Sequence, residues 1–237
     1  MGSIGRSIKA SATPGHPSQS TSSANPNFLS LPEKIRKEIF RRVLSILHPL
    51  FIFQDPGCPV EMFAPDRPPH WLAITYVNRE ISCEASSVLY EINHFHLLDM
   101  TQQQSNILQS FFNCIGARNV AFLSHLDISF PVGEAMDSQP GTFRFGSDSF
   151  QSLKLLQRHC NNLSTLEVFI HNKNIGFFEN PEGVIHEALS VIAAEFRAIS
   201  SLQNVVVRVI PHEGIPAPAK DLMRKFGWAI VFGDKDP

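Results

Sequence analysis

Tryptophan and tyrosine are scarce in this sequence, at two each, while phenylalanine reaches 19. That imbalance argues for a core filled with Phe rather than a binding surface rich in aromatics. An excess of one charge is also lacking. The 20 Lys and Arg against 22 Asp and Glu leave a net charge of -2, with a pI near 6.5. There is thus no electrostatic footprint for nucleic acid or for an acidic membrane surface. No apolar run approaches the ~18 residues of a membrane span. The four cysteines, Cys58, Cys83, Cys114 and Cys160, never fall at C-x-x-C spacing, and no secretory signal precedes them. Free thiols in a reducing compartment, cytoplasmic or nuclear, are expected. G-x-S-x-G, phosphate-loop, dinucleotide and EF-hand signatures are missing, and His186-Glu187 lacks the second His of H-E-x-x-H. No catalytic residue and no cofactor is expected.

What remains is ordinary material for a folded chain of 237 residues, 43% hydrophobic and 18% charged. The exception is 1–27, rich in Ser, Pro and Gly and without Asp or Glu. It buries too little apolar surface to order itself, so a disordered tail is expected. Gly and Pro interrupt any amphipathic presequence helix there. Arg6 stands where an N-myristoylation signal wants Ser or Thr.

FLSLPEKIRKEIFRRVL (28–44) reads as an amphipathic helix. Ser30 and Glu33 have the spacing of a capping box, with Pro32 in the first turn. Leu31, Ile35, Ile39 and Val43 recur every fourth residue, and Phe40, Leu44 and Leu47 widen the stripe. Glu33–Lys37 and Glu38–Arg42 are i,i+4 pairs on the opposite face. His48-Pro49 supplies a stop. In 49–70, Phe51–Phe53 and Val60–Phe63 flank an Asp55-Pro56-Gly57 turn, a hairpin on a surface excursion.

A second helix runs to about Glu91, and Phe95 to Leu98 follows as a strand. Beyond residue 102, helices and strands alternate: a helix closed by Gly116, strand 125–130, helix 149–160, strand 163–170, helix 184–199, strand 202–210, helix 219–226 and strand 228–232. That alternation predicts crossover units and a largely parallel sheet. LSTLEV and LQNVVV recur near 38 to 40 residues apart, longer than the ~20–29 of leucine-rich repeats.

LSLPEKIRKEIFRRVL resembles the opening helix of F-box domains, with Leu31, Pro32, Ile35, Ile39 and Phe40 at the motif positions. VNREISCEASSVLYEINHFHL is similar to a second motif of a large fungal group of F-box-like proteins of undefined function. Arg79, Ile81, Glu84, Ala85, Leu89, Tyr90, Asn93 and Phe95 match it, and Asn78 replaces its Cys. FFNCIGARNVAFLSHLDI resembles that group's third segment through Ile115, Gly116, Arg118, Asn119 and Leu126. The fold this implies is α/β: F-box-like helices in 28–98, interrupted by 49–70, then a leucine-rich-repeat-like, largely parallel sheet in 99–237.

The implied function is protein–protein recognition, as substrate-recognition adaptor of a cullin–RING ubiquitin ligase. A Skp-type adaptor would dock on Leu31, Pro32, Ile35, Ile39 and Phe40. Loops 131–147 and 172–183 would contact an unknown client. The alternative is a stand-alone interaction protein whose helix packs internally; an enzyme ranks third. Arg79 and Glu84 are expected to pair and orient the second helix, and Asn93 to cap the turn before the strand. His94 and His96 share one side of a strand, but no third ligand lies nearby in sequence, so no metal site is expected. Asp127 and Glu167 lie in predicted strands with no sign of convergence. Cys160 is expected to be a small buried thiol at a helix end.

Overall fold

The computed structural model describes residues 27–65, 67–99, 103–135, 143–210 and 215–233. The expected disordered tail, apart from Asn27, lies outside the described residues. A short 3-10 turn, Phe28–Ser30, leads into α1 (Glu33–Leu44). The chain continues through β1 (Leu50–Phe53), β2 (Glu61–Phe63), α2 (Arg79–Ile92), β3 (His94–Leu97), α3 (Gln104–Ile115), α4 (Ala117–Val120) and β4 (His125–Ser129). Next come β5 (Gly133–Ala135), β6 (Phe143–Phe145), α5 (Ser147–His159), β7 (Thr165–Ile170) and α6 (Asn172–Ile175). The last elements are α7 (Glu182–Arg197), β8 (Asn204–Val209), α8 (Ala217–Lys225) and β9 (Ala229–Phe232).

Seven strands form one sheet in the order β2-β1-β3-β4-β7-β8-β9. Only β2 runs antiparallel to its neighbour. From β1 onward the strands enter the sheet in chain order, which the short helical crossovers favour. β5 and β6 make a separate small hairpin. The turn after β1 has Gly57 at φ 77, as the Asp55-Pro56-Gly57 reading requires. The hairpin is not a surface excursion, however. β1 also pairs in parallel with β3, so this segment builds the sheet itself.

Alternation sorts the strands into two faces. Phe95 and Leu97, Leu126 and Ile128, Leu166, Val168 and Ile170, and Val207 and Val209 are buried on one face. Helix α3 packs there, with the Phe111 ring 5.9 Å from Phe95. One cluster of buried side chains runs from Phe40 to Trp228, so residues 28–98 and 99–237 share a core. Cys160 sits in it at the end of α5, and burial pushes its thiol up to about 12. No helix among the described residues is long and apolar enough to cross a membrane.

Gly116 closes α3 at φ 80 and ψ 153, a region that side chains with a Cβ avoid. Nothing lies near the position a Cβ would take, so the cost of substitution is conformational alone. Gly116→Ala is expected to lose about 1–3 kcal/mol in a denaturant titration. A loss below 0.5 kcal/mol would mean that the turn relaxes freely.

Candidate functional site

The start of α1 differs from the capping-box reading. Asn27 caps the 3-10 turn through Oδ1, which accepts from Leu29 N at 3.3 Å. The Ser30 hydroxyl donates to the Asn27 carbonyl, and Pro32 takes the N-cap position without a side-chain bond. The Glu33–Lys37 and Glu38–Arg42 pairs are present, at 2.8 and 3.0 Å. The helix stops at Leu44, before His48. There the Asn93 amide donates to Leu44 O and Leu89 O, each at 2.9 Å, while its Oδ1 accepts from Ile46 N at 2.9 Å. Asn93 therefore caps the end of α2 before β3, as expected, and in addition ties it to the end of α1.

Glu84 is not Arg79's partner. It holds the Arg36 guanidinium through both carboxylate oxygens, and Arg36 also donates to Leu31 O at 2.6 Å. Arg79 is exposed at the start of α2, which Asn78 caps by accepting from Ile81 N at 3.0 Å. The hydrogen bonds from Arg36 hold the Glu84 carboxyl below its ordinary 4.5. A depressed carboxyl stabilises the fold above the unfolded value and loses that contribution as pH falls through the folded value. The stability difference between wild type and Glu84→Gln is therefore expected to stay constant from neutral pH down to about 4.5, then shrink on further acidification. Urea midpoints measured across that range check this; a difference independent of pH would contradict it.

This pair decides which side of α1 faces inward. Arg36, Phe40 and Leu44 are buried against α2 and the core, and Phe40 has its ring 5.6 Å from Phe28. Phe40 is 0% exposed, so its expected place on a docking surface is corrected. The neighbouring stripe points outward: Ile35 is 48% exposed and Val43 42%. Pro32 is exposed, and Leu31 and Ile39 are half-buried. Tyr90 is buried against Phe95, their rings 5.5 Å apart, and burial pushes its hydroxyl up to about 12.

The expected client loops fare differently. In 172–183, α6 is followed by a 3-10 turn, Gly176–Glu179, whose Phe177 and Phe178 are buried near Phe130 at 6.2 and 6.0 Å. Those two rings are packed, while Gly176, Glu179, Pro181, Glu182 and Gly183 of the same segment remain exposed. In 131–147, β5 and β6 pair, and residues 136–142 lie outside the described residues.

The second face of the sheet carries a cluster that the sequence reading did not assemble. β3 brings His94 and His96, β4 brings His125 and Asp127, β7 brings Glu167, and β8 brings Arg208. Register places His94 opposite His125, and His96 opposite Asp127, itself opposite Glu167. Asp127 accepts from His94 Nε2 through Oδ1, and from His96 Nδ1 through Oδ2 at 3.0 Å. Arg208 Nε donates to Glu167 Oε1, and its Nη1 donates to Gly233 O at 3.3 Å. The His94 and His125 rings stack at 3.7 Å. His96 sits edge-on to Phe169 at 4.7 Å, and Arg208 lies over that same ring at 5.9 Å.

Burial raises the Asp127 carboxyl against the pull of His96. It raises Glu167 as well, with the Asp127 charge adding to the effect and Arg208 opposing it. Burial lowers His125. The expectation that Asp127 and Glu167 do not converge is thus overturned, and strand pairing brings His94 further donors from β4 and β7. One signal in the sequence pointed this way: LEVFI and VVVRV each set a charged residue in an otherwise apolar strand, and HLDISF sets Asp127 between Leu126 and Ile128, where an unpaired charge is costly. No family model, curated protein or solved structure matches the chain.

Proposed function

We propose that the chain is a protein–protein recognition module that docks a Skp-type adaptor of a cullin–RING ubiquitin ligase through the outward stripe of α1. The observation that carries this reading is the division of α1 into two apolar faces. One, built on Phe40 and Leu44, serves the chain's own core. The other, with Pro32, Ile35 and Val43, is exposed at the position of the F-box-type Leu-Pro helix. Apolar helix faces left in water favour docking into a complementary groove. In this reading α1 and α2 are the F-box-like pair. The helix–strand array is a leucine-rich-repeat-like scaffold that presents a client surface. The chain binds rather than catalyses.

Size-exclusion chromatography of the chain mixed with a Skp-type adaptor tests the proposal. Co-elution is expected for the wild type and not for Ile35→Asp with Val43→Asp, two exposed positions whose substitution spares the core. If the wild type elutes alone, the reading gives way to its alternative, a stand-alone interaction protein whose α1 serves only the internal core.

A further inference from the structure

We propose that His94, His125, Asp127 and Glu167 bind a single divalent transition-metal ion of the zinc class on the second face of the sheet. One ligand atom from each of the four lies within 4.8 Å of the others. An ion with bonds of about 2.0–2.2 Å sets tetrahedral ligand atoms roughly 3.3–3.6 Å apart, so the His125 contacts lie near that spacing, while the closer His94–Asp127 contact would open to admit the ion.

His125 Nε2 is the second, independent sign. It is buried without a hydrogen-bond partner, an arrangement that costs free energy. It stands 3.6 Å from Asp127 Oδ1 and 3.9 Å from Glu167 Oε2. Those distances are too long for hydrogen bonds and suit the edges of a coordination polyhedron.

The surrounding groups aim the carboxylates. His96 holds Asp127 Oδ2, and Arg208 holds Glu167 Oε1. Each acid turns its other oxygen toward His125, and Asp127 Oδ1 also meets His94 Nε2, a hydrogen bond that the ion would replace. Such outer partners are what fix ligand orientation in metal sites. Two imidazole nitrogens with two carboxylate oxygens suit Zn²⁺, Co²⁺ or Fe²⁺ over Ca²⁺ or Mg²⁺, which prefer oxygen alone. This site stands apart from α1, and neither proposal depends on the other.

The test is a titration of the full chain, freed of metal by chelator, with Co²⁺ followed by its visible d–d absorption, and with Zn²⁺ by calorimetry. One ion per chain and the intense bands of a four-coordinate site are expected. His125→Ala should weaken binding by more than the roughly 10–100-fold that outer-sphere changes cost. His186→Ala, on the exposed side of α7, should not change it. A weak six-coordinate spectrum, uptake without a defined stoichiometry, or undiminished binding by His125→Ala would each overturn the proposal. Should His125→Ala fold poorly, the cobalt spectrum of the unsubstituted chain decides alone.

Discussion

Phe40→Ala is expected to cost about 3–5 kcal/mol of stability. The residue is among the largest fully buried side chains and packs beside Phe28 on the inner side of α1. Truncation leaves a cavity at the junction of α1 and the core, where Arg36–Glu84 and the Asn93 bonds hold the walls and limit collapse. Ile35→Ala, one helical step away and half in water, is expected to stay within about 0.5 kcal/mol. The contrast is the measurable point: two apolar residues of one helix, five positions apart, with costs differing several-fold in guanidinium melts. Equal costs would mean that α1 is not divided as described.

Arg208→Met is expected to cost about 3–5 kcal/mol, the usual result of breaking a buried ion pair from one side. Its guanidinium side chain is 10% exposed and bonds a Glu167 carboxylate lying beside the buried Asp127. Without the cation, two carboxylates share one patch of the sheet face. Adding Glu167→Gln should recover more than half of the loss, because the stranded charge is gone even though the hydrogen bond is not restored. Chemical denaturation of the chelator-treated protein near neutral pH gives the cycle. A single-variant loss below 1 kcal/mol would show that solvent screens the pair.

Most of the element order was legible because the local signals agree. The i,i+4 pairs on α1, the Asp55-Pro56-Gly57 turn, Gly116 after α3 and the alternation of helix and strand each rest on neighbours within a few residues. The inner side of α1 was not legible. Ile35 and Phe40 both lie on its apolar stripe, and the choice between them is made by Glu84, 48 residues from Arg36 in the chain.

The same limit hid the polar cluster. His96 and Asp127 are 31 residues apart, His94 and Asp127 33, and Glu167 and Arg208 41. Periodicity places each on a strand but says nothing of which strands are neighbours. Register brings them together, and register is set by the pairing of whole strands. Phe177 and Phe178 were misplaced for a related reason. A Gly- and Asn-rich segment reads as loop, yet two adjacent rings there can still cover the end of the core at Phe130.

The most direct test of the central claim is isothermal calorimetry with a Skp-type adaptor, comparing the wild type with Ile35→Asp plus Val43→Asp at matched circular dichroism and melting temperature. A saturable one-to-one binding heat for the wild type and none for the variant is the predicted result. No heat from the wild type, or equal heat from both, would contradict the assignment of the outward face of α1 as a docking surface.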